Sequence, residues 1–182
     1  VAPLCLLVLN SPMEPVIDFT APWSTGLKRI SVVSIVALAL ATLAALYAWR
    51  QTAAPVALLA VVLPPIVVLG CALCMVKGYV LNGDEIVVKR LGWTTRLPLD
   101  GLRSVAGDNE AMSSSWRLFG NGGLLSYTGY FWNRKIGRYR VFATDPSRSV
   151  VLTYPKRKVV ITPDDPQRFI VRARTILKNR GR

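Results

Sequence analysis

Two long uncharged runs joined by three residues constrain this chain more than any other feature. From Ser31 to Trp49 no residue is charged, between Lys28-Arg29 and Arg50, and from Ala53 to Val76 none is charged before Lys77. At 1.5 Å rise per residue the first run makes a helix about 28 Å long, close to a hydrocarbon core. The second makes one of about 36 Å, which calls for tilt or a kink. Pro64-Pro65 near its middle predicts the kink, because each ring removes a backbone donor and crowds the preceding turn. With only Arg50, Gln51 and Thr52 between them, the runs are expected to form a tight antiparallel hairpin across a membrane. Ala37, Ala41 and Ala45 recur at a spacing that permits close helix contact, within the hairpin or between copies in a homo-oligomer. Lys28, Arg29, Lys77, Lys89 and Arg90 fall on one side and Arg50 alone on the other. Both termini are therefore expected in the cytoplasm, with the hairpin multi-pass in the cell (inner or plasma) membrane.

The charge divides at the end of the second run. Residues 1–76 carry 3 basic and 2 acidic residues (net +1), whereas residues 77–182 carry 20 and 8 (net +12). Three parts follow: an N-terminal segment 1–30, the hairpin 31–76, and a basic domain 77–182 long enough to bury one modest core. Val1 to Leu9 is apolar but lacks the basic start of a secretory signal, and Met13 opens a polar lead-in; translation is expected to start at Met13, with residues 1–12 an over-extended gene start.

The chain has no histidine, which removes Ser-His-Asp and Cys-His triads and the usual zinc and haem ligand sets. All three cysteines, Cys5, Cys71 and Cys74, precede the basic domain. Cys71 and Cys74 have CxxC spacing but sit in an uncharged run without deprotonating neighbours, so they read as small packing residues. The basic domain has eight carboxylates, most at turns or a helix cap, and no pair is placed for acid–base or metal work. No catalytic residue, metal site or cofactor is assigned.

After Lys77 the pattern becomes short β-type runs separated by turn formers. Strands are expected at 78–81, 85–90, 93–99 and 102–106, around Asn82-Gly83, Leu91-Gly92 and Asp100-Gly101, with successive runs pairing antiparallel. A polar loop spans 107–115, and further strands are expected at 124–131, 138–144, 149–154 and 158–162. Gly120-Asn121-Gly122-Gly123 lacks the setting of a phosphate loop and reads as a turn between strands. Tyr139, Val141 and Ala143 share one face, with Arg138, Arg140 and Thr144 on the other and Phe142 an exception, which predicts one buried and one mostly wet face. From about Asp164 to Lys178 one amphipathic helix closes the chain, with Phe169, Ile170, Ala173, Ile176 and Leu177 as its stripe.

The segment RLFGNGGLLSYTGYFWNRKIGRYRVFATDPSRSVVL (Arg117 to Leu152) and VVITPDDPQRF (Val159 to Phe169) resemble the bacterial pleckstrin-homology-like (PH-like) domain family, in membrane proteins whose transmembrane helices precede the domain. The resemblance covers about half of the basic domain. It implies a mainly-β PH-like barrel of about seven antiparallel strands, capped by the C-terminal amphipathic helix and anchored by the two-helix hairpin. Lipid-binding PH domains generally carry Lys and Arg around the first hairpin loop, whereas here that loop is Asn82-Gly83-Asp84-Glu85, short and acidic.

Half of the chain's aromatic residues lie between Trp116 and Phe142, interleaved with Arg117, Arg134, Lys135, Arg138 and Arg140. That segment reads either as barrel core with a solvated basic rim, or as a recognition surface with Phe131, Trp132, Arg134 and Lys135 at a loop tip. Lys156, Arg157 and Lys158 add a second basic group on the last hairpin. The expected function is a non-catalytic, membrane-anchored binding module, an adaptor, scaffold or sensor for a membrane-protein partner through Phe131, Trp132, Arg134, Lys135, Arg138 and Arg140. The alternative is an anionic-lipid-binding domain that regulates oligomeric assembly of the hairpin. Nucleic acid fits less well, since the domain is tethered and no RNP-like, KH or helix-turn-helix signature is present.

Overall fold

The computed structural model describes residues 16–52 and 55–180, and the expected start at Met13 lies outside them. Strand β1 (Ile17–Thr20) comes first, followed by helices α1 (Thr25–Thr52) and α2 (Pro55–Leu73). Ser24 caps α1: its hydroxyl accepts from Leu27 N at 3.1 Å and its carbonyl from Lys28 N at 3.0 Å. Arg50, Gln51 and Thr52 continue α1 rather than forming the connection, and Arg50 sits in its last turn, where a cation suits the helix dipole.

Helix α2 ends at Leu73, not Val76, because Val76 already begins the next strand. Its 19 residues span about 28 Å, so the excess length that called for tilt or a kink is absent. The helix runs through Pro64 and Pro65 as one element. Both helices are long and apolar enough to cross a membrane, and of their residues only Leu27 and Ser31 of α1 are buried, with none buried in α2. An uncovered apolar surface of that extent suits lipid rather than water as its surroundings.

Ten strands, rather than about seven, form two sheets among the described residues. The first has the order β1-β2-β3-β4, with β2 Val76–Leu81, β3 Glu85–Arg90 and β4 Thr94–Pro98. The second has the order β5-β9-β10-β8-β7-β6, with β5 Ser104–Gly107, β6 Trp116–Gly122, β7 Tyr127–Asn133, β8 Gly137–Ala143, β9 Val150–Thr153 and β10 Lys158–Ile161. Consecutive strands do not always pair. The chain leaves the first sheet between β4 and β5, and β10 inserts between β8 and β9, running parallel to β8 with Val159 opposite Arg140.

Strands β1 and β6 go beyond the strands that the sequence predicts, and each has a structural reason. β1 pairs antiparallel with β2, Ile17 opposite Leu81 and Thr20 opposite Gly78, so the whole membrane hairpin stands where a short turn would otherwise join two neighbouring strands. The glycine-rich segment is not a turn. Gly120, Asn121 and Gly122 lie within β6, and Gly120 faces Gly129 of β7, both at positive φ. A Cβ on either glycine would overlap the partner strand's carbonyl oxygen, so the two backbones approach closely there only because both residues lack one.

The main core lies between the sheets and under helix α3 (Pro166–Arg180), and contains Tyr79, Leu81, Ile86, Leu97, Phe142, Leu152, Ile161 and Phe169. α3 begins two residues later than expected. Asp165 is its cap, accepting from Arg168 N at 2.9 Å, and Pro166 takes the first position, where its missing N–H costs no bond. The expected stripe does face the core: Phe169, Ile170, Ala173 and Ile176 are buried and Leu177 is partly so. Arg174 donates to the Val105 carbonyl from Nε at 3.1 Å and from a terminal nitrogen at 2.8 Å, covering part of the β5 edge.

The second sheet has no wholly wet face. Tyr139, Val141 and Ala143 pack with Phe131, Val151, Val160 and Ala111 under the loop before β6, whereas Phe142, the exception to the alternation, enters the main core. Asn133 holds that loop: its amide nitrogen donates to the Ala111 carbonyl at 2.8 Å and to Ser115 Oγ at 3.0 Å.

The segment before the hairpin is stitched into the domain at several points. Phe19 is buried edge-on against Phe169 at 5.1 Å, Thr20 Oγ1 donates to Asp164 Oδ2 at 2.8 Å, and Ser24 N donates to the Thr144 carbonyl at 3.3 Å. Replacing a buried phenylalanine by alanine costs about 3–5 kcal/mol. Phe19→Ala is therefore expected to lower the thermal unfolding temperature of the detergent-solubilised protein, followed by circular dichroism in the β region. An unchanged transition would mean that β1 does not contribute to the fold.

Candidate functional site: a cationic groove and a membrane-facing cavity

The antiparallel pairing of β7 with β8 and the parallel pairing of β8 with β10 bring together two basic groups that are distant in sequence. Arg138 and Arg140 from β8, together with Lys156, Arg157 and Lys158 from the β9–β10 turn and the start of β10, line one groove of about 140 Å³ floored by Tyr130 and Tyr139. The Arg138 and Arg140 guanidinia each lie 5.9 Å from the Tyr130 ring, and Arg157 lies 5.0 Å from Tyr154. Lys158 Nζ donates to the Ile136 carbonyl at 3.1 Å, which fixes one wall. Among the described residues no carboxylate forms an ion pair with any of the five cations.

The remaining sequence-expected residues lie elsewhere. Phe131 is buried in the smaller core, not at a loop tip, because its position on β7 points it at Tyr139. Trp132 alternates to the opposite face and is exposed, still within the strand. The turn consists of Arg134, Lys135 and Ile136, and Lys135 Nζ pairs with Asp108 at 2.8 Å, tying the turn to the loop before β6. Arg134 is exposed on that turn and, with Lys135, does not line the groove.

A second, larger cavity of about 500 Å³ opens between the end of α2 and the β6–β8 part of the sheet. Its wall contains a cation that the sequence offered only as one of several near the membrane. The Arg90 and Arg140 guanidinia both stack on Phe142, at 4.5 and 4.7 Å from the ring centre. Arg90 also lies 5.3 Å from Trp93, and its Nε is buried with no hydrogen-bond partner among the described residues. Burial, and then the neighbouring Arg140 charge, push the Arg90 guanidinium below its ordinary value. Tyr130 and Arg140 belong to the walls of both cavities. Spacing in the sequence carries no signal for the Arg90–Arg140 pair, since the two meet only through the fold.

A family model for the bacterial PH domain matches residues 77–175, just over half of the chain. The chain belongs to the bacterial PH domain family. No curated protein and no solved structure gives a significant match. The matched residues begin at Lys77, so β1, which completes the first sheet, comes from outside them. Membership supports a binding module in general. The expected PH-like fold, preceded by two candidate membrane-spanning helices and closed by a C-terminal helix, is the fold observed, with its strands in two sheets.

One buried polar centre holds the sheets of this PH domain together. Tyr79 OH donates to the Phe142 carbonyl at 2.6 Å and accepts from Thr162 N at 3.1 Å, while Thr162 Oγ1 accepts from Thr144 N at 2.9 Å. Burial pushes the Tyr79 phenol up from 10 to about 12, against a smaller lowering by its Thr162 hydrogen bonds. The folded protein thus holds this proton more tightly than the unfolded chain. Its contribution is intact below about pH 10 and falls as pH rises towards 12, by about 2–3 kcal/mol in all. Tyr79→Phe is expected to flatten that alkaline loss, measured by denaturant unfolding in detergent at several pH values. At neutral pH it should cost about 1–3 kcal/mol through the unpaired Thr162 N–H and Phe142 carbonyl.

Proposed function

We propose that this protein is a membrane-anchored, non-catalytic binding module whose cationic groove docks an acidic surface of another membrane protein, making it an adaptor or scaffold. The observation that carries this reading is the convergence of Arg138, Arg140, Lys156, Arg157 and Lys158 on one groove without a pairing carboxylate among the described residues. Like charges held together repel one another, and an acidic partner relieves that repulsion while the exposed Tyr130 ring supplies contact area. The groove lies at the end of the β7–β8 pair away from the α1 cap, which is tied to Thr144. Six residues separate Arg138 from Thr144, about 20 Å, which puts the Arg138 end of the groove away from the helix start, while Arg140 and Tyr130 also line the cavity beside α2. The excess of Lys and Arg beside the domain-side ends of the helices, against Arg50 at the far end, supports a cytoplasmic domain on the cell membrane.

A photo-crosslinking residue at the exposed position of Arg134, in the full chain in intact cells, tests the reading. A discrete protein crosslink is expected in the otherwise unchanged chain. It should be lost in the triple variant Arg138→Glu, Lys156→Glu, Arg157→Glu, and weakened by raised salt in isolated membranes. A crosslink indifferent to the triple variant would overturn the groove assignment, and crosslinks to lipid alone would replace the protein partner with the bilayer.

A further inference from the structure

We propose that the cavity between α2 and the sheet binds the phosphate-bearing headgroup of an anionic phospholipid, with Arg90 and Arg140 holding the phosphate and the last turns of α2 flanking the acyl chain. The cavity has two chemically distinct walls. Val67, Gly70 and Cys71 on α2 make one part of the lining apolar, and Arg90 and Arg140 make another part dicationic. An apolar wall and two cations in one cavity match an amphiphilic anion, not a soluble one.

The position of the cavity selects the bilayer as the source. Its apolar wall is the end of a candidate membrane span next to the domain, the depth at which phospholipid phosphates lie. The negative end of that helix does not oppose an anion there as strongly as an open terminus would, because the Leu73 carbonyl accepts from Gly92 N at 2.9 Å and the Gly70 carbonyl from Cys74 N at 3.2 Å. Both guanidinia lie within 5 Å of one ring centre and line the same cavity, so a phosphate group entering it meets both charges. Neither forms an ion pair with a carboxylate among the described residues, and Arg90 Nε lacks a partner there. A bound phosphate would supply the missing counter-charge. Gly70 lies on the α2 wall with open space beside it, nothing being within 4 Å of where its Cβ would be, so a larger side chain there has room to enter the cavity.

This inference does not rest on the groove reading. The two sites share Arg140, but Arg90 and Gly70 belong to this cavity and Arg157 to the groove. The experiment is native mass spectrometry of the full chain released from vesicles of equal parts phosphatidylcholine and phosphatidylglycerol. Preferential retention of phosphatidylglycerol is expected, reduced at least tenfold by Arg90→Gln and by Gly70→Leu, and unchanged by Arg172→Gln, at an exposed position of α3 that lines neither cavity. Gly70→Leu puts bulk on the α2 wall of the cavity while leaving every cation in place, so it carries the test if Arg90→Gln fails to fold. Equal retention of the two lipids, or no loss in Gly70→Leu, would overturn the proposal. A parallel sample with inorganic phosphate and neutral vesicles separates the sources: Arg90-dependent retention of inorganic phosphate, without preference for the anionic lipid, would reassign the cavity to a soluble anion and overturn the lipid assignment.

Discussion

The pairing of β1 with β2 is the constraint on which the rest of this molecule depends. Four residues before the hairpin hydrogen-bond to the first strand after it, so both ends of a helical excursion of more than fifty residues are clamped side by side. Closing so long a loop costs conformational entropy that grows only slowly with length. The ladder is reinforced on three sides: Phe19 fills the core against Phe169, Thr20 joins the start of α3 through Asp164, and Ser24 joins the end of β8. A domain held this way has little freedom to swing relative to the base of its hairpin. That rigidity gives meaning to a cavity shared between helix and sheet.

Electrostatics then sorts the cations of the domain into two populations. Lys89, Arg96, Lys135 and Arg148 pair with Asp18, Glu85, Asp108 and Asp145, all at turns, edges or strand ends. Exposed pairs of this kind contribute little each, and they serve chiefly to tie loops to the sheets. The cations gathered in the groove and at the membrane-facing cavity lack such partners among the described residues. The arginines among them stack instead on Tyr130, Phe142 and Tyr154, whose ring faces attract positive charge without neutralising it. Phe142 links these surfaces to the interior: its ring bears two guanidinia and its carbonyl accepts the Tyr79 hydroxyl at the buried centre between the sheets.

Much of this was legible from the residues in order. Uncharged runs report candidate membrane-spanning helices because their length and apolarity match a hydrocarbon core, and Asn82-Gly83 marks a β2–β3 turn because its local chemistry favours one. The stripe of α3 was equally plain, from Phe169 to Leu177. Less was legible where contacts are non-local. The parallel β8–β10 pair leaves no turn signal, and four residues of β1 have no local partner to announce them. Phe142 broke the alternation for a reason visible only when both faces of the second sheet prove to be covered. For the candidate site, the sequence pattern singled out Arg138, Arg140 and Lys156 to Lys158, which the fold brings to one groove, but also put Phe131 at a loop tip, since an aromatic beside a turn looks the same whether its strand position faces in or out.

By itself the sequence determined the elements that local physics dictates: two lipid-length helices, a β-rich basic domain without histidine chemistry, and a closing amphipathic helix. Only the tertiary structure decided which strands neighbour one another, that the segment before the hairpin completes the first sheet, and that Arg90 and Arg140 meet over one ring. The reason is physical. Hydropathy, turn preference and helix capping act over a few residues and are written in their order, whereas strand pairing and the meeting of distant charges depend on the closure of long loops, which no short stretch of sequence encodes.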